Sequence, residues 1–144
     1  MVEQDTIRLL RECDAGIQMG TEAIKGVMER VKNAQMKRCL ADCRKKHEKL
    51  AAEIERELAR FHDEGKDPHP VLRSMSFMKT NVRLAMDAAD ENIADLLTDG
   101  CNMGVKSLNK YLNQYKAADE KAKDIAKKLI QQEEQLTKEI SRFL

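Results

Sequence analysis

The chain has 144 residues, 42% hydrophobic, 35% charged and only 3% aromatic. That length fits one domain with its own core, expected over residues 1–144, while six Gly, two Pro and no Trp argue against a turn-rich β-sandwich or barrel. Twenty-six basic against 25 acidic side chains leave a formal charge of +1, so no overall field draws the chain to nucleic acid or to an anionic membrane.

The chain opens on the acidic stretch Met1-Val2-Glu3-Gln4-Asp5 with no apolar signal core after it. No apolar run approaches the roughly 18 residues of a membrane span. A cytoplasmic location is expected, and with it reduced thiols at the four Cys. Apolar residues at alternating three- and four-residue spacing predict the first helix over Thr6–Val31, with Ile7, Leu10, Ile17, Ile24, Met28 and Val31 on its stripe. The second is predicted over Ala34–Glu64, where Met36, Leu40, Cys43, Leu50, Ile54, Leu58 and Phe61 share a face. Gly65-Lys66-Asp67-Pro68-His69-Pro70 then punctuates the chain, because each Pro interrupts helix and pushes its predecessor towards extended backbone. A short amphipathic helix over Val71–Met86 follows and reads as part of a crossover. The third long helix is predicted over Glu91–Lys116 and the fourth over Glu120–Leu144. Each long helix has one apolar face and needs partners, which side-by-side packing supplies. The pairs Asp42–Lys46, Asp124–Lys128 and Glu134–Lys138 suit exposed helix faces.

The two halves resemble each other. Cys13-Asp14-Ala15-Gly16-Ile17 falls on Cys101-Asn102-Met103-Gly104-Val105, and the second helix falls on the fourth with His47 over Glu133 and Asn33 over Asp119. Asn and Asp are both good helix-opening residues. The expected fold is therefore all-α: two similar helical hairpins joined by a long crossover into a four-helix bundle.

That layout resembles the ferritin-like superfamily, and within it an uncharacterised bacterial ferritin-like bundle family. The resembling stretches are Leu9-Leu10-Arg11-Glu12-Cys13-Asp14-Ala15-Gly16-Ile17, Cys43-Arg44-Lys45-Lys46-His47-Glu48-Lys49-Leu50, the Gly65–Pro70 crossover and the second Cys-Asn-Met-Gly-Val copy. The resemblance implies the bundle fold and an ancestral metal site, with no established activity. A ferritin-like di-iron centre takes a Glu from each of two helices and a Glu-x-x-His from each of the other two. No Glu-x-x-His occurs in this chain, and the central positions fall on Asp14, His47, Asn102 and Glu133. That set is too poor in carboxylates to bridge two cations.

Asp14, His47 and Glu133 admit two readings. They could form a mononuclear site for Zn, Mn or Fe, completed by water or Cys, or a buried polar network with His47 between two acids and Asn102 completing the hydrogen bonds. Cys39, Cys43 and His47 lie on successive turns of one helix, and Cys13 and Cys101 could approach them; thiolates suit Cu(I) or Zn. The sister half has Ile125 and Leu129 opposite Cys39 and Cys43, which favours plain core packing. The eight Met read chiefly as core filler, and His62 and His69 as polar loop residues. No phosphate loop, dinucleotide fingerprint, nucleophile elbow or Cys-x-x-Cys appears. The expected function is a non-catalytic bundle that assembles or interacts, in a stress-related role. A metal-binding protein with a mononuclear core site is the alternative. A homo-oligomer is expected because the crossover segment carries Met and Phe that would expose apolar surface.

Overall fold

Apolar stripes at helical spacing wind this chain into four long helices in a computed structural model that describes residues 2–63 and 89–144. They are α1 (Val2–Met28), α2 (Ala34–Ala59), α3 (Asp90–Gln114) and α4 (Glu120–Ile140), followed by a 3-10 turn at Ser141–Phe143. No strand occurs among the described residues, and no helix there is long and apolar enough to cross a membrane. The crossover helix expected over Val71–Met86, with the Gly65–Pro70 punctuation before it, lies outside the described residues.

All four helices end short of the predicted residue, α3 at Gln114 instead of Lys116. Val31 is not the last helical residue of α1 but a buried plug in the hairpin loop, 1% exposed. α2 stops five residues before Glu64 because His62 takes left-handed backbone (φ 55°). Asp63 N–H then reaches back to the Leu58 carbonyl at 3.0 Å, and His62 N–H to that of Ala59 at 3.1 Å. These bonds form a Schellman closure built without glycine. Arg11 of α1 holds the end in place through a two-pronged bond to the Asp63 carboxylate. α4 gives way to the tighter turn after Ile140. The predicted openers behave as expected: Asn33 Oδ1 accepts from Gln35 and Met36 N–H, and Asp119 Oδ1 accepts from Ala122 N–H.

Side-chain clasps fix the helix directions. Asp90, first residue of α3, accepts from Lys32 and Asn33 N–H at 2.9 and 2.8 Å, so α3 begins beside the loop where α1 ends. Asp5 and Thr6, in the first turns of α1, accept from Ala117 and Asp119 N–H at 3.0 and 2.8 Å, so α4 begins beside the start of α1. Each hairpin thus holds the other's loop with the opening turns of its first helix. Taking α1 as up, α2 and α3 both run down and α4 runs up. α1 packs against α2 and α3, α4 packs against the same two, and α1 also touches α4 across the centre.

The core falls into two apolar clusters. One gathers Leu9, Leu10, Cys13, Ile17, Leu50, Ile54, Leu108, Ile125 and Leu129. The other gathers Ile24, Val27, Met36, Leu40, Cys43, Ile93, Leu97, Cys101, Leu136 and Ile140. On every helix the chain passes from one cluster to the other through one turn holding a glycine or a polar side chain: Gly20, His47, Gly104 and Glu133.

Asp90→Ala should therefore lower stability by about 1–2 kcal/mol, since it strips a charged acceptor from two loop N–H groups. Urea unfolding of the two proteins measures it.

Candidate functional site

The turn between the two clusters holds the polar centre of the bundle. His47 hangs inward from α2 because its neighbours on the same face, Cys43 and Leu50, are core residues; it is 1% exposed. Glu133 does the same on α4 between Leu129 and Leu136, and is 9% exposed. Antiparallel packing of α2 on α4 brings them together. His47 Nε2 lies 3.3 Å from Glu133 Oε1, and His47 Nδ1 lies 2.7 Å from Gln132 Oε1. With the Gln132 amide oxygen at Nδ1 and a carboxylate oxygen at Nε2, the contacts match those of an imidazolium donating on both sides. Burial opposes that charge, but Cys43 Sγ, 3.9 Å from Nδ1, and the Glu133 carboxylate outweigh it and push the His47 pKa up to about 10.

Two glycines make room for the pair. A Cβ on Gly20 of α1 would lie 3.1 Å from both Cδ2 and Nε2 of His47. Gly104 of α3 faces the Glu133 carboxylate, with space for a Cβ at 3.6 Å from Cδ. Gly16 meets only Leu129 Cδ2, at 3.7 Å.

Of the three residues singled out by sequence, His47 and Glu133 meet and Asp14 stands apart. Asp14 is half-buried on the flank of α1 and accepts from Gln18 of its own helix at 3.1 Å. Burial raises its pKa, against the Gln18 bond and with help from Glu55. Asn102, expected to complete the network, faces solvent. Gln132 takes the second place beside His47 instead. It was missed because it flanks the buried stripe of α4 and looks, in sequence, like the exposed Gln131 before it. Gly20 was missed because its counterpart in the second half is Leu108, so the repeat gave it no emphasis.

The thiols divide by surroundings. Cys13 and Cys101, paired by the repeat, are 0% and 5% exposed. Burial, with Glu12 and Asp14 adding to it, pushes Cys13 up to about 12. Cys101 is raised well above the usual thiol range by burial and by the neighbouring Glu133 carboxylate. Cys39 is half-buried between Glu139 and Arg142, and burial raises it too. Met36 fills core as expected, fully buried, whereas Met103 is 61% exposed. Met75, Met78, Met86 and His69 lie outside the described residues.

The donors do not make the six-ligand set of a di-iron centre. Each His47 nitrogen already faces an oxygen of its own, and among the described residues no three His, Cys, Asp or Glu side chains are grouped to hold a metal ion. The chemistry the cluster can support is that of a buried cation bonded to a carboxylate, with two thiols beside it. Compared with known proteins, the chain matches no family model, no curated protein and no solved structure.

The glycines should respond differently to the same change. Gly104→Ala should leave stability equal or raise it by up to about 1 kcal/mol through helix propensity. Gly20→Ala should lower it, because the His47 ring is held on both nitrogens and cannot yield; parallel thermal melts rank the two.

His47 should also give stability a distinct pH dependence. Its folded pKa is raised above the unfolded value of about 6.5, so its contribution is fully present below that pH and is lost as pH rises towards about 10. The groups facing the ring are Cys43, Gln132 and Glu133. The stability difference between the native chain and His47→Gln, followed by urea unfolding at a series of pH values, should shrink over that range. The ring's NMR titration should have no midpoint near neutrality.

Proposed function

We propose that the protein is a ferritin-like bundle that works without catalysis, as a cytoplasmic assembly or interaction protein in a stress-related role, with a protein-only polar network at the place of the ancestral metal. The up-down-down-up helix order supports the ferritin-like reading, since one long crossover between the second and third helices is what distinguishes such bundles from simple meanders. The repeat between the hairpins and their mutual loop clasps support it as well. The observation that carries the network reading is His47, whose two nitrogens lie within hydrogen-bond distance of Gln132 Oε1 and Glu133 Oε1, so that an imidazolium ring donates to both. A metal-bound imidazole must leave one nitrogen deprotonated for the ion. The partner we propose is a second copy of the chain, and apolar Val2, Met103 and Leu144 on the surface are consistent with assembly.

The alternative is a mononuclear site, for which the 3.3 Å approach of His47 Nε2 to Glu133 Oε1 is the favourable observation. Elemental analysis of protein purified without an affinity tag separates the two. The network reading expects no stoichiometric metal, and a loss of about 1–3 kcal/mol in His47→Leu from the unpaired Glu133 carboxylate. One tightly held Zn, Mn or Fe per chain that disappears in His47→Leu would establish the alternative. Sedimentation equilibrium tests the homo-oligomer, and a monomer at all concentrations would exclude it.

A further inference from the structure

α2 and α3 stand at opposite corners of the bundle, because each packs on α1 and α4 rather than on the other. Each therefore turns one face outward, on opposite sides of the molecule. The charges on the flanks of α2 are paired inside the chain: Arg44 with Glu48, Arg60 with Glu57, and Glu53 with Lys121 and Lys128 of α4. Those on its outward face are not. Asp42, Lys49 and Arg56 lie there at seven-residue spacing, exposed and without an ion pair among the described residues. The outward face of α3 carries Glu91, Asp99 and Lys106, equally exposed and equally unpaired, and no basic residue precedes Lys106 on that helix.

The two rows have opposite signs when one is read backwards. Along α2 the order is minus at Asp42, plus at Lys49 and plus at Arg56; back along α3 it is plus at Lys106, minus at Asp99 and minus at Glu91. The steps are seven and seven residues on α2 and seven and eight on α3, or about 10.5–12 Å each, so all three pairs come within reach together. We infer that the outward face of α2 docks antiparallel on the outward face of α3 of a second copy, Lys49 on Asp99, Arg56 on Glu91 and Asp42 on Lys106. In this register Lys45 meets neutral Asn102 and Asp95 meets exposed Ala52, and Arg38 at the end of the row meets a like charge, Lys110. Met103, one turn beyond Asp99 and 61% exposed, adds apolar surface beside the row. Because the two faces lie on opposite sides of one molecule, the contact is heterologous: each docked copy still offers an α2 to the next, and copies extend in a row instead of stopping at a pair. Exposed ion pairs are individually weak, so the contact is reversible and salt-dependent. The inference rests on the reading of the partner as a second copy of the chain and specifies the surfaces it uses.

Sedimentation equilibrium of the full-length chain at about 0.05 M and about 0.5 M salt tests it. At low salt the average mass should keep rising with protein concentration past that of a dimer, and the association constant should fall at least about tenfold at high salt. Lys49→Glu and Asp99→Lys, both at exposed positions, should each weaken self-association at least about tenfold. An equimolar mixture of the two should associate again, since each brings the face the other lacks. Lys110→Glu replaces the like pair with Arg38 by an opposite one and should strengthen association. A mass that stops at the dimer, an association unchanged by salt or by either charge reversal, or a mixture that stays as weak as its components would each overturn the docking while leaving self-assembly through another surface. A monomer at every concentration would overturn both the docking and the reading of the partner as a second copy.

Discussion

The bond between His47 and Glu133 places a cation and an anion inside a bundle whose neighbouring layers are wholly apolar. Such a pair is tolerated only when each charge has its partner and the remaining polar atoms are bonded too. Here Gln132 lies on the second ring nitrogen, at 2.7 Å. The requirement reaches all four helices. Two must present the charged side chains at one level, and the other two must withdraw, which they do with Gly20 and Gly104. Sliding α2 along α4 by one turn would put His47 against Leu129 or Leu136 and leave two uncompensated charges in hydrocarbon. The polar layer is therefore a register mark between the hairpins.

The loop clasps impose the same register from the bundle ends. Asp90 at one end, with Asp5 and Thr6 at the other, satisfy loop N–H groups that no helix can reach. The two sets are related by the repeat only loosely, since Asp90 is the first residue of α3 while Asp5 and Thr6 are the fourth and fifth of α1. The same is true at the centre, where Gly20 contacts His47 one turn away from the place that corresponds to Gly104 beside Glu133. The halves keep the roles of these contacts while shifting the residues that make them.

The surroundings of the core also set the state of two of its thiols. Burial, reinforced by neighbouring carboxylates, keeps the thiols of Cys13 and Cys101 protonated.

The long helices, their pairing into two hairpins, the helix openers Asn33 and Asp119, and the inward position of His47 and Glu133 were all legible in the sequence, because each follows from apolar spacing or from local capping chemistry. The early end of α2 was not, since it depends on left-handed backbone at a histidine and on Arg11, fifty-two residues away from Asp63. Nor could spacing separate Asp14 from His47. Both adjoin an apolar stripe, but a rotation of α1 by a fraction of a turn decides that Asp14 meets Gln18 on the flank instead of the centre. The choice of Gln132 over Asn102 as the partner of His47, and the need for glycine at residue 20 far more than at 104, were likewise decided by tertiary structure. They depend on the depth and rotation at which two helices meet, and a one-dimensional pattern specifies only which face of each helix turns inward.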